Sequence, residues 1–319
     1  MRALVFTAPG VVELQDVADP EPGPGETLVA VRAAGICGSE LHGVRDPGFR
    51  VPPLIMGHEF AGVTSDGAEV IIHPVLSCGQ CDLCTLGSRQ LCRDRVLIGV
   101  GRPGGFGELV AVPESALRPK PTGLSWAAAA LAEPAASAVH AVALAGGAAG
   151  QRVAVLGCGA IGLFAVLAAV SDGAASVVAT DLSPGRLAVA ARLGAAPGGD
   201  GSTLAGEFDL IIDAAGTEGS RAQSVARLRP GGTAVWLGLA SPDPGFDARA
   251  LVRAEQRVLG SFAYTDEAFD QAIRLVGGFD LDWAEPVPLA DGARVFTALM
   301  TGGLDPAKAI LAAGATIGR

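Results

Sequence analysis

The spacing of four cysteines constrains this chain more than any other feature. Cys78, Cys81, Cys84 and Cys92 lie within the stretch LSCGQCDLCTLGSRQLC, the first three separated by two residues each and the fourth following after seven more. Zinc takes four thiolates at tetrahedral corners, each about 2.3 Å from the metal, and CxxC steps let the backbone curl until successive sulfurs face one point. The segment supplies Gly79 and Gly87 for turns and almost nothing that packs a core. A metal is therefore what would hold it in one conformation. Free buried thiols and a pair of disulfides are the alternatives, and disulfides need an oxidising compartment, for which nothing in the sequence argues. The reading is a structural four-thiolate zinc lobe over residues 76–95. Arg89, Arg93 and Arg95 either offset its negative charge or form a solvated face.

A chain of 319 residues is long enough for two domains, each with its own core. Half of the residues are hydrophobic and only 18% are charged, with Gly numbering 45 and Pro 21, which is a soluble, turn-rich α/β composition. A net charge of −10 argues against nucleic acid or an anionic membrane as a partner, since both select clustered Lys and Arg. The longest apolar run, residues 154–170, is broken by a glycine turn and too short to span a bilayer. The opening MRALVF enters a strand-like run without a signal-peptide layout. The expectation is a cytoplasmic, reduced protein.

Residues 1–35 alternate short strand patterns with Pro/Gly stops, which favours a small antiparallel β domain. Cys37 then falls in GICGSELH, and His58 follows in GHEFAG with Glu59 beside it. A Cys and a His from separate segments, with a neighbouring carboxylate, form a mixed ligand set of the kind that leaves a fourth position open on catalytic zinc. The alternative is a buried Cys and a core His that never meet.

Further on, Arg152-Val153-Ala154-Val155-Leu156 reads as a buried strand, followed at once by Gly157-Cys158-Gly159-Ala160-Ile161-Gly162 and the helix LFAVLAAV. A strand before and a helix after turn a weak GxGxxG into a dinucleotide fingerprint. The missing side chains let the backbone approach a pyrophosphate held at the helix N-terminus. The next strand, SVVAT, ends at Asp181, at the distance expected for the acid that binds the adenosine ribose hydroxyls. That carboxylate repels a 2′-phosphate, so NAD is expected over NADP, with Arg186 near enough to moderate the charge.

The Gly57-His58-Glu59 motif, the Cys37-x-Ser39-x-x-His42 motif, the four-cysteine lobe and the glycine fingerprint occur in one order. In that order the chain resembles the zinc-dependent medium-chain alcohol dehydrogenases over essentially its whole length, closest to their polyol, threonine and secondary-alcohol branch. The resemblance implies an α/β protein: a GroES-like β domain from 1–138 and 265–319, with a Rossmann domain, a doubly wound parallel sheet over 139–264, inserted between them and the active site in the cleft. It implies Cys37 and His58 as ligands of a catalytic zinc, hence two zinc ions per chain. Members of this branch carry a Glu-Pro on a later helix, matched by Glu133-Pro134, so either Glu59 or Glu133 is the third protein ligand. Ser39 and His42 match the family's proton relay: Ser39 hydrogen-bonds the substrate oxygen, and His42 passes the proton outward through the cofactor ribose. A group whose ordinary pKa lies near neutrality suits that task. His73 falls where relatives place a substrate-contacting side chain, or is a structural histidine at a strand end. Phe106 borders the pocket or packs the core, His140 packs at the domain junction, and Cys158 is inert.

Two stretches depart from the family pattern. Residues 63–70 lack the longer hairpin that usually ends in Gly-Asp-Arg-Val, and residues 194–207 are short enough to lack a helix. RLRPGGTAVWLGL reads as a helix end, a turn and a strand, EAFDQAIRLV and ADGARVFTALMTG as amphipathic helices, and the run from Lys308 as a closing strand. The expected activity is oxidation of a secondary alcohol or polyol to a ketone, and the reverse, with NAD carrying the hydride and zinc as Lewis acid. Reduction of a biosynthetic or sugar-derived ketone, or non-catalytic nucleotide binding, are the competing readings. The expected partners are a small-molecule alcohol or ketone and further copies of the chain, as a dimer or tetramer.

Overall fold

A computed structural model describes residues 1–45, 50–202, 204–243, 245–246, 248–304 and 306–314. The chain forms two units, Met1–Glu133 with Val276–Arg319, and Pro134–Leu275.

In the first unit the strand Glu26–Gly35 carries the pattern read from the sequence. Val29 and Val31 are fully buried, while Leu28, Ala30 and Arg32 between them are half-exposed. This strand is the hub of a seven-stranded sheet. It pairs antiparallel with Glu59–Thr64, with Leu109–Pro113 and with Lys308–Ala312, so early, middle and late segments meet on it. Lys308–Ala312 in turn pairs parallel with Ala284–Pro288. The hairpin at 64–68 is as short as the sequence implies: Gly67 N–H donates to the Thr64 carbonyl at 2.9 Å, and Thr64 N–H to the Ala68 carbonyl at 2.9 Å. The trimming leaves no open edge at Glu69–Ile72, because Leu117–Pro119 covers its outer side.

A smaller sheet, Val11–Asp16, Arg2–Ala8 and Leu54–Ile55, packs Leu4 and Phe6 into the same core as Met56, Phe60, Phe106 and Phe296. Phe106 is wholly buried there, which favours its packing role. The cysteine stretch leaves this body through a two-stranded stem, Val75–Leu76 paired antiparallel with Val96–Leu97.

The second unit is a six-stranded, all-parallel sheet in the order Ala196–Pro197, Ser176–Thr180, Arg152–Leu156, Phe208–Asp213, Leu228–Trp236, Arg257–Gly260. Counted along the unit this is 3-2-1-4-5-6, the doubly wound arrangement. The order reverses beside Arg152–Leu156, directly before the glycine turn. Between Ala196–Pro197 and Phe208–Asp213 there is no helix among the described residues, and buried Leu204 and Phe208 fill that face of the sheet instead. One expectation is corrected. The strand expected to begin after Pro230-Gly231-Gly232 starts at Leu228 and runs through them. Its register slips opposite Phe208–Leu210, and that irregularity accommodates a proline with no N–H to give the ladder. No helix among the described residues is long and apolar enough to cross a membrane.

Phe106→Ala is expected to destabilise the first unit by about 3–5 kcal/mol, the usual cost of emptying a buried aromatic site. The measurement is a lowered urea midpoint at unchanged slope.

Candidate metal centres and dinucleotide cradle

Cys37 ends the hub strand's extension and opens the helix Gly38–Arg45. That helix has two faces. Ser39, His42 and Arg45 are exposed, whereas Glu40, Gly43 and Val44 are buried. The buried carboxylate of Glu40 accepts three hydrogen bonds: from Cys37 N–H at 3.0 Å, from Gly57 N–H at 3.0 Å, and from Nδ1 of His58 at 2.9 Å. An ionised carboxylate has no proton to donate, so Nδ1 carries one and Nε2 is left as the imidazole's lone pair for a metal. Burial favours the neutral form of Glu40, yet His58 and Arg50 hold its pKa below the ordinary carboxyl value. Burial likewise works against a charged His58, but Glu40 and Cys37 drive its pKa well above the usual histidine value, so a metal at Nε2 would take the place of the ring's second proton.

Glu59 and Lys308 sit on strands that flank Gly35 on either side. Their side chains meet above it, with Lys308 Nζ donating to Glu59 Oε1 at 2.6 Å. A Cβ at Gly35 would overlap Glu59 Oε2 and stand 2.9 Å from Lys308 Cε, so only glycine leaves room for the pair. Burial disfavours the ammonium of Lys308, but Glu59 and Cys37 raise its pKa above the ordinary lysine value.

The donor atoms of Cys37, His58 and Glu59 lie within 4.8 Å of one another. Sulfur, imidazole nitrogen and carboxylate oxygen on one side of a point fit a zinc ion with room for a further ligand. Glu133 is buried at the start of the helix Ala132–Leu144 and is not part of this group of three. His73 is also outside it, buried with its backbone N–H on the Ala116 carbonyl.

Cys78, Cys81, Cys84 and Cys92 form the second group. Their sulfurs are 3.5 Å (Cys81–Cys84 and Cys78–Cys92) to 3.9 Å (Cys78–Cys84 and Cys81–Cys92) apart. A tetrahedron with Zn–S bonds of about 2.3 Å has edges of about 3.8 Å, so these four separations suit such an ion, and all four sulfurs lie within 4.8 Å of one another. Backbone N–H groups of Gln80 and Cys81 lower the Cys78 thiol to about 7, while burial lifts Cys84 to about 11. Four thiolates this close repel one another, and a dication is what lets all of them ionise. Arg93 pairs with Asp82 and Arg95 donates to the Cys92 carbonyl at 3.0 Å, so these two arginines brace the lobe's backbone.

In the second unit Gly159 caps the helix Ala160–Ser171 without any side-chain acceptor, which leaves its first-turn N–H groups to a phosphate. Gly157 has φ of +91°, and a Cβ at Gly162 would overlap the Gly157 carbonyl, so the turn and the helix touch only because both residues are glycine. Ala160 and Ile161, half-exposed, line the same first turn. Asp181 stands at the end of the adjacent strand. Its Oδ2 accepts from Cys158 N–H at 2.6 Å and its Oδ1 from Ser183 N–H at 2.8 Å, which ties it to the fingerprint turn. Arg186 lies on the helix Pro184–Arg192 that follows. The Cys158 thiol is buried and pushed up to about 12, and His140 is buried with its pKa lowered by that burial.

Sequence reasoning passed over Glu40, Lys308 and Arg50. Glu40 left a trace, since it shares a helix face with Gly43 and Val44 and a carboxylate on that face needs buried donors. Lys308 left none, because its partner is 249 residues away.

Glu40→Gln keeps the shape but weakens the hold on His58. Metal affinity at the Cys37–His58–Glu59 group is expected to fall by about 10–100-fold, the usual cost of losing a ligand's supporting partner. Competition with a chromogenic zinc chelator reads this directly.

Residues 23–122 match the family model of the alcohol dehydrogenase GroES-like domain, and residues 160–277 that of the zinc-binding dehydrogenases. L-threonine 3-dehydrogenase of Streptomyces avermitilis is 34% identical over 88% of this chain and 90% of its own. L-galactonate-5-dehydrogenase of Escherichia coli is 34% identical over 86% of this chain and 87% of its own. Among solved structures, a zinc-binding dehydrogenase of Sinorhizobium meliloti bound to NADP superposes with a TM-score of 0.88 at 31% identity, covering 98% of both chains. With both family models matched and a third of its residues shared along most of its length, the chain belongs to the zinc-dependent medium-chain alcohol dehydrogenase family.

Proposed function

We propose that the protein oxidises a secondary alcohol or polyol to the ketone, and catalyses the reverse, with NAD as the hydride carrier and two zinc ions per chain. The observation that carries this reading is the convergence of Cys37, His58 and Glu59 beside a helix whose exposed first turn presents Ser39. When bound, the metal supplies Lewis acidity at the substrate oxygen and the dinucleotide supplies the hydride acceptor. The chain's own residues do the rest. Cys37, His58 and Glu59 fix where the alcohol oxygen sits, and Glu40 and Lys308 hold two of those three in place. Ser39 takes the hydroxyl proton at Oγ while releasing its own, and exposed His42, one helical turn on, carries it towards solvent. Glu59 would be the direct third ligand, and Glu133, buried outside that group of three, would support the site without holding the ion directly. The second ion belongs to the cysteine lobe and serves stability.

Asp181 supports NAD, because a carboxylate fixed beside the fingerprint turn repels a 2′-phosphate. The relative bound to NADP makes this preference the point to test. The two curated relatives act, by their names, on secondary hydroxyls of molecules that also carry a carboxylate. L-threonine and L-galactonate therefore head the panel of secondary alcohols, polyols and amino alcohols to be screened.

Three outcomes are expected. Metal analysis gives two zinc ions per chain, and Cys37→Ala or His58→Ala reduces this to one and turnover to background with dinucleotide binding retained; full activity in either variant would sink the catalytic-zinc reading. Cys81→Ser loses the other ion and lowers the melting temperature. Asp181→Gly narrows the NAD preference by about tenfold, equivalent to roughly 1.4 kcal/mol, and equal use of NAD and NADP by the unaltered protein would refute the assignment.

A further inference from the structure

Arg50 is 1% exposed, a rare condition for an arginine, and its guanidinium lies under the helix Gly38–Arg45. Nη1 donates to the Ser39 carbonyl at 2.7 Å, and Nη2 reaches the Ser39 hydroxyl at 3.4 Å. Both arms of one planar fork therefore engage a single residue. The helix makes room for it at Gly43, where a Cβ would overlap Nη1 and stand 3.4 Å from Cζ. The same cation helps hold buried Glu40 in its ionised form. Arg50 thus bonds the exposed serine directly and acts through its charge on the carboxylate that supports His58.

A seryl hydroxyl has one hydrogen and two lone pairs. Arg50 has only hydrogens to give, so it occupies one lone pair from below. The remaining lone pair and the single O–H are left on the solvent-facing side of the helix, where an incoming alcohol meets them. With the carbonyl held as well, Arg50 grips the residue at two points, and a cationic donor on Oγ turns the hydroxyl's own proton away from the guanidinium. A lysine would supply the charge without the rigid two-pronged fit.

We propose that Arg50 is a positioning residue for Ser39: it presets the serine hydroxyl to accept the substrate's proton and pass its own outward. This rests on the reading of Ser39 as the first member of the proton relay. When the relay runs, the alcohol O–H bond breaks and a new Ser39 O–H bond forms as the original one is given up, so the serine is restored. Arg50 loses no proton at any point.

The test is a double-mutant cycle on the zinc-loaded protein, saturated with whichever of NAD or NADP it binds more tightly. The probe is trifluoroethanol, an alcohol that resists hydride abstraction, and its affinity is read by calorimetry alongside kcat and KM for the best alcohol of the panel. Ser39→Ala and Arg50→Gln are each expected to weaken trifluoroethanol by about fivefold to tenfold, the worth of one hydrogen bond, with dinucleotide affinity unchanged. The double variant should be no weaker than Ser39→Ala alone. Arg50→Lys, which keeps the charge, should fall between wild type and Arg50→Gln, and it decides the matter if Arg50→Gln does not fold. Losses that add in the double variant, whether with Gln or with Lys at 50, would show that Arg50 acts through packing or through Glu40 rather than through Ser39 and overturn the proposal. So would a normal Arg50 variant beside an impaired Ser39→Ala, an outcome that leaves the relay itself intact. An unaffected Ser39→Ala would remove the relay and the proposal with it.

Discussion

One buried carboxylate aligns two donors of the candidate mixed metal site, Cys37 and His58. Glu40 receives a hydrogen bond from the backbone at Cys37, another from the backbone at Gly57, and a third from the ring of His58. Taking a carboxylate out of water costs several kcal/mol, and each bond to a charged acceptor returns about 1.5–3 kcal/mol. Two such bonds roughly meet the cost, and the third makes the arrangement favourable. The balance is therefore close to all-or-none. A chain in which Cys37 and His58 are not yet side by side cannot hold Glu40 buried and ionised. The sulfur and the imidazole are held side by side by their shared partner, the kind of support that orients metal-binding side chains.

The third donor depends on a different balance. Glu59 is buried against Lys308, and removing the lysine alone would leave an uncompensated charge, a change that typically costs 3–5 kcal/mol. This ion pair exists because Gly35 offers no side chain between the two strands. The cysteine lobe obeys neither constraint. Its four sulfurs come from one short stretch, on a two-stranded stem, and face each other through local turns. The two candidate metal centres thus differ in kind: one is a property of a peptide segment, the other of the assembled sheet.

That difference explains what could be read from the residues alone. The lobe was legible because its information is local, and so was the glycine turn, where a strand and a helix flank the motif within a few residues. The doubly wound parallel sheet and the missing helix between 194 and 207 were legible through the family resemblance, whereas the count and order of the six strands come from the structure. The partners of the ligands were not legible. Glu40 reaches His58 across 18 positions and Lys308 reaches Glu59 across 249, distances at which periodicity carries no signal. The strand start at Leu228 was misjudged for a related reason. Pro230 and two glycines look like a stop in isolation, and only a neighbouring strand in position lets the ladder continue past them. Arg50 went unnoticed because a lone arginine in a proline-rich stretch gives no hint that a helix will close over it.

The hub strand's pairing with Lys308–Ala312 also sets an order of events in biogenesis. On the ribosome the lobe is complete once its stem has emerged and can capture an ion while most of the chain is still being made. The Cys37–His58–Glu59 group has to wait, since the lysine paired with Glu59 lies 249 positions further along the chain. In a nascent chain the lobe's four thiols can therefore converge before the strand that carries Lys308 has been made.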